Sequence, residues 1–92
     1  MKRIALLGII VDDMSASGRI NALLHEYADY VVGRMGIPHR SRQVAIISVV
    51  LDAPPEVISG LSGKLGMLPG VNVKAVYSKH EFDTDECSGD KR

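Results

Sequence analysis

The sequence predicts an α+β fold, a four-stranded antiparallel sheet with two helices on one of its faces. Three observations lead there. Residues 3–11 and 43–51 are almost unbroken apolar runs rich in β-branched side chains, the pattern of strands buried on both faces. Two other stretches repeat apolar residues at steps of three and four, as amphipathic helices do. Two more alternate with period two, and short connections join all six.

Taken in order, the first apolar run ends at Asp12 and Asp13, which stop the strand. Ile20, Leu23, Leu24, Tyr27 and Val31 then mark the buried stripe of a first helix, with Ser15 or Ser17 as its N-cap. From Tyr30 the period changes: Val31, Gly33, Met35 and Ile37 alternate with Val32, Arg34 and Gly36 in a second strand. Residues 36–42 combine Gly, Pro and polar side chains and are expected to form a hairpin connection. The second apolar run follows and is closed by Asp52. Pro55 suits the first position of a second helix, whose stripe is Ile58, Leu61, Leu65 and Leu68, and Pro69-Gly70 ends it. Residues 71–77 alternate again as a fourth strand. The resulting β-α-β-β-α-β order is the split, ferredoxin-like arrangement, in which the first and third strands lie at the centre of the sheet. Those are the two runs that are apolar on both sides, and the half-polar second and fourth strands suit its edges.

At 92 residues the chain makes one domain, read as residues 1–79 followed by an acidic, mobile tail over residues 80–92. Nine bases and six acids leave the first 79 residues at +3, whereas five acids and two bases put the tail at −3. A basic face of that strength is too weak for direct nucleic-acid binding, and the 4% aromatic content offers few stacking platforms. No run approaches the 18 or so apolar residues of a membrane span. Met1-Lys2-Arg3 with the apolar run imitates a signal peptide, but Asp12 and Asp13 stand where cleavage would fall, so a cytoplasmic location is expected. The single Cys87 excludes an internal disulfide.

Helices can cover only one face of this sheet. Either alternate set of the first strand (Ile4, Leu6 and Ile10, or Ala5, Leu7, Ile9 and Val11) is apolar, and the third strand repeats this. An apolar face left uncovered on a small domain points to subunit pairing, as a dimer or a dimer of dimers. Ala45, Ile47, Val49 and Leu51 are the more apolar set of the third strand, which turns Ser48 outward. Arg34, Ser48 and Lys74 are expected among the outward residues, as polar contacts at an interface or around a bound anion.

Signs of catalysis are absent from the sequence pattern, and the protein is read as non-enzymatic. Ser62-Gly63-Lys64 resembles the end of a phosphate-binding loop, but that motif needs Gly at 58 and Ser or Thr at 65, where the chain has Ile58 and Leu65. Gly60 and Gly63 are read instead as sites of close helix approach, and Lys64 as a solvated charge. His25, His39, His80 and Cys87 match no compact metal-ligand spacing, so neither metal nor other cofactor is expected; only a set shared between subunits would assemble one.

Residues 24–38 (LHEYADYVVGRMGIP), 46–53 (IISVVLDA) and 61–74 (LSGKLGMLPGVNVK) resemble the small iron-only ([FeFe]) hydrogenase system regulators. That family has folds like ACT domains and like the regulatory domain of nickel-responsive repressors, and its name reflects association with genes for hydrogenase maturation. The resemblance runs from Arg3 to Lys79. It implies a regulatory or sensory role, with a small effector such as an amino acid bound near the loop after the first strand and at a subunit interface. Asp12, Asp13, Met14 and Ser15 occupy that loop, although it lacks the Pro-Gly turn of many ACT domains. An effector's ammonium would meet Asp12 or Asp13, and its carboxylate the first amides of the following helix. The competing reading has Ser15 or Ser17 capping the helix and the aspartates favouring its positive end. With no helix-turn-helix or ribbon-helix-helix segment ahead of the first strand, any transcriptional effect is expected to need a separate DNA-binding or hydrogenase-related protein.

Overall fold

The computed structural model describes residues 1–79; the tail, with His80 and Cys87, lies outside the described residues. Strands β1 (Arg3–Val11), β2 (Val31–His39), β3 (Val44–Ala53) and β4 (Val71–Tyr77) and helices α1 (Ser17–Glu26) and α2 (Pro55–Gly66) follow the expected order. The sheet is ordered β2-β3-β1-β4, with every neighbouring pair antiparallel. This is the ferredoxin-like α+β arrangement, with the two most apolar strands at its centre.

The direction of each central strand is settled by what packs against it. Ala5, Leu7, Ile9 and Val11 of β1 and Val49, Leu51 and Ala53 of β3 are buried together with Ile20 and Leu24 of α1 and Ile58, Leu61 and Leu65 of α2. Helical spacing therefore supplies one wall of the core and strand alternation the other. Pro55 opens α2 from a Pro54 N-cap, where a missing N–H costs nothing.

Three boundaries differ from expectation, each for a local reason. Strand β2 continues through His39, and a 3-10 turn at Arg40–Arg42 followed by Gln43 connects it to β3, so the hairpin connection is shorter than residues 36–42. The edge position of β2 accommodates Pro38 because one row of its backbone groups needs no partner. Val31 belongs to β2 rather than to the helical stripe, since α1 stops at Glu26 and a 3-10 turn at Ala28–Tyr30 intervenes. Neither Ser15 nor Ser17 caps α1: its N-cap is Ala16, and the side-chain cap falls one turn earlier, where Asp13 caps a 3-10 turn at Met14–Ala16.

Helices α1 and α2 are joined at the surface by Tyr27, whose ring centroid lies 5.2 Å from Lys64 Nζ. Hydrogen bonding and electrostatic attraction to Tyr27, reinforced by the Glu26 carboxylate, hold the Lys64 ammonium above its ordinary pKa of 10.5. Lys64 is thus more than a solvated charge. A Cβ at Gly60 would stand 3.7 Å from the Tyr27 hydroxyl, an ordinary contact, and at Gly63 would meet nothing within 4 Å, so neither glycine marks the close helix approach expected of them.

Candidate functional site

The loop after β1 is shaped by short-range hydrogen bonding. Asp13 Oδ1 accepts the Ser15 hydroxyl at 2.7 Å and the Ser15 amide at 3.0 Å. These two bonds hold the Asp13 carboxyl below its ordinary pKa of 3.8, the hydroxyl contributing more than the amide. Because the folded value is the lower one, the contribution of this turn to stability is present above 3.8 and is lost as pH falls through the folded value. A carbon-detected NMR titration is expected to place the Asp13 midpoint below 3.8, and a Ser15→Ala variant to move it upward.

A second tie fixes the loop from the other side. The Asp12 amide donates to the Gly70 carbonyl at 2.7 Å, carrying the β1–β4 ladder one step beyond Val11↔Val71. Gly70 adopts φ 73°, and a Cβ there would stand 2.5 Å from Asp13 Cβ and 3.1 Å from Asp13 N. Only glycine allows both that backbone conformation and that approach.

Asp12, Asp13, Met14 and Ser15 line a cleft of about 600 Å³, together with His39, Gln43 and Val44. The four residues singled out in the sequence are therefore neighbours in one cavity of the size small ligands occupy. Gln43 and Val44 were missed, and His39 was singled out only as a metal-ligand candidate. Their placement follows from topology: β3 runs antiparallel to β1, and the pairing Val11↔Ala45 sets the start of β3 beside the end of β1. Gln43 has φ 57°, an uncommon conformation for a side chain of its kind and one that turns the chain into β3. His39 Nδ1 is 3.3 Å from the Ser41 hydroxyl. Asp13 is engaged by its own turn, whereas the Asp12 carboxylate is exposed.

Arg34 does not lie with Ser48 and Lys74. The β2–β3 pairing shifts between Val31 and Gly33, so that Val31 opposes Leu51 and Gly33 opposes Val50. This bulge inserts one residue and reverses the alternation that follows, placing Arg34 opposite buried Val49 on the helix side, where its Nη2 donates to Asn21 Oδ1 of α1 at 3.1 Å. Ser48 and Lys74 do share the open face. They flank Gly8, which pairs with both, and Met35 completes that row. On either side of the row are apolar residues: Ile4, Leu6, Val50 and Val76 towards one end, Ile10, Ile37 and Ile46 towards the other. Most are well exposed, Leu6 at 43%, Ile10 at 45% and Val76 at 64%.

Among the described residues no three of His, Cys, Asp and Glu gather as metal ligands do, and no helix is long and apolar enough to cross a membrane. His25 lies on α1 and His39 on β2, in separate clefts.

The fold and its cleft define the class, a small ferredoxin-like α+β domain with a ligand-sized cavity at the end of its first strand. The chain belongs to the TM1266-like family, described as "Iron-only hydrogenase system regulator, putative", whose pattern matches residues 3–75. The solved structure of uncharacterized protein TM1266 from Thermotoga maritima is similar over 86% of this chain and all of that one, at 41% identity and a TM-score of 0.82. A formyltetrahydrofolate deformylase from Pseudomonas putida KT2440 is similar over 84% of this chain and 29% of that one, at 17% identity and a TM-score of 0.61, a likeness of fold alone. No protein of curated function matches the sequence.

Proposed function

We propose that this chain is a non-enzymatic sensing module of its regulator family, cytoplasmic and homo-oligomeric, which binds a small effector in the cleft of Asp12, Met14, Ser15, His39, Gln43 and Val44. The observation that carries this reading is the cleft itself, which joins the β1 loop to a hairpin end some 30 residues away in sequence. Its polar groups suit a cationic or zwitterionic molecule such as an amino acid: Asp12 takes the ammonium, while the His39 imidazole and Gln43 amide offer donors to a carboxylate. Met14 and Val44 provide the apolar wall. Regulation then reaches its target through a separate DNA-binding or hydrogenase-related partner.

A thermal-shift screen of the full chain against amino acids, nucleotides and metal ions tests the reading. A ligand of the native state present at about 100 times its Kd adds about 2.7 kcal/mol to stability. The expected result is a reproducible rise with one amino-acid-like compound, abolished by Asp12→Asn. A flat screen, with the oligomer intact, would instead support a protein-interaction module that pairs through its sheet without a ligand. The exposed apolar residues of the open face favour that second reading.

A further inference from the structure

We infer that the groove between α1 and β2 is a second binding site, for a small organic anion with an apolar body, anchored by the Arg34 guanidinium. The groove has a volume of about 420 Å³ and is lined by Asn21, Leu24, His25 and Ala28 from the α1 side, and by Val31, Arg34 and Val49 from the sheet. Asn21, Leu24, His25 and Ala28 recur at steps of three and four, so one flank of the helical segment supplies the whole of that wall.

Three features give the groove its chemistry. First, among the described residues no carboxylate lines it. The polar partner of Arg34 among the described residues is the neutral Asn21 Oδ1, which takes one of the guanidinium's five N–H donors. A planar guanidinium with donors to spare is matched to the paired oxygens of a carboxylate or phosphate. Second, His25 stands at the same rim and brings a ring N–H in either tautomer. Third, part of the accessible lining is apolar: exposed Ala28 and half-buried Val31 lie in the groove with Arg34, and the buried core residues Leu24 and Val49 back it.

Sequence makes this arrangement through the β2 bulge. Without the register shift between Val31 and Gly33, the side chain of residue 34 would lie on the open face, away from α1. This site is separate from the effector cleft, with which it shares no lining residue.

Phenyl phosphate, benzoate and inorganic phosphate, titrated into the full chain and followed by amide NMR, distinguish the anionic head from the apolar body. Phenyl phosphate or benzoate is expected to shift the amides of Asn21, His25, Arg34 and Val49 saturably in the millimolar range or below, and inorganic phosphate to bind more weakly at the same residues. The stronger of the two aromatic anions identifies the preferred head group. Arg34→Gln is expected to weaken that binding by about tenfold or more, the loss of one charge-assisted hydrogen bond. Asn21→Asp is expected to abolish it by pairing the guanidinium internally, without loss of the folded spectrum. Saturable shifts confined to the Asp12–Ser15 cleft, no saturable shift at all, or unchanged affinity in Arg34→Gln would overturn the proposal.

Discussion

Gly70→Ala is expected to lower stability by about 2–5 kcal/mol, combining the strain of a left-handed backbone with that of an overpacked contact. The site leaves no room to adapt. A methyl at this position meets Asp13 Cβ at 2.5 Å and its backbone nitrogen at 3.1 Å, and neither is the free end of a flexible side chain. Moving the Asp13 loop away would break the 2.7 Å bond from the Asp12 amide to the Gly70 carbonyl. For a domain of this size each kcal/mol corresponds to about 4–8 °C in melting temperature, so thermal denaturation reads the effect directly. A melting temperature within a few degrees of wild type would show that the turn relaxes without strain.

The same substitution at Gly63 supplies the contrast. Gly63 lies inside α2, is exposed, and has nothing within 4 Å of a built Cβ. Alanine there should raise stability by about 0.5–1 kcal/mol, the ordinary gain from removing glycine's backbone freedom in a helix. The opposite signs at Gly63 and Gly70 separate helix propensity from the packing that holds the Asp12–Ser15 loop in shape.

How much of this was legible depends on the distance between the residues that decide each feature. Ser48 breaks the symmetry between the two faces of β3, so its core side, Val49 and Leu51, was legible; either face of β1 is apolar, and only packing against the helices shows that Leu7 and Ile9 face the core. Arg34 was placed on the wrong face because the bulge depends on how β2 pairs with β3, and strict alternation carries no sign of it. Capping was misassigned because Ser15, Ser17 and Asp13 all suit an N-cap; the choice fell to the 3-10 turn that precedes α1. For the cleft, the resemblance pointed to the Asp12–Ser15 loop. Its second wall, His39, Gln43 and Val44, required the β1–β3 register, since nothing local in Pro-His-Arg-Ser-Arg-Gln points towards Asp12.

Ser48→Arg is expected to convert an oligomer paired through the sheet into monomers. Ile4, Leu6 and Ile46 are 37–43% exposed and Val50 is half-buried, so covering what remains of the four contributes on the order of 2–4 kcal/mol per protomer before the costs of association. Both protomers of a symmetric pair contribute it, so the interface rests on the face as a whole. Ser48 lies in the row Met35, Ser48, Gly8 and Lys74, between the two apolar halves of the face, so a guanidinium there would be desolvated next to the Lys74 ammonium with no carboxylate in the row to pair with it. On the isolated chain the position is only half-buried, and an arginine can extend into solvent, so the fold should tolerate it. Light scattering at micromolar protein reads the outcome, with circular dichroism as the check on folding. A monomeric wild type would remove the sheet-paired assembly from the proposed function. An oligomer unchanged by the folded variant would move the interface to the β2 or β4 edge or to the helices, since those surfaces do not include Ser48.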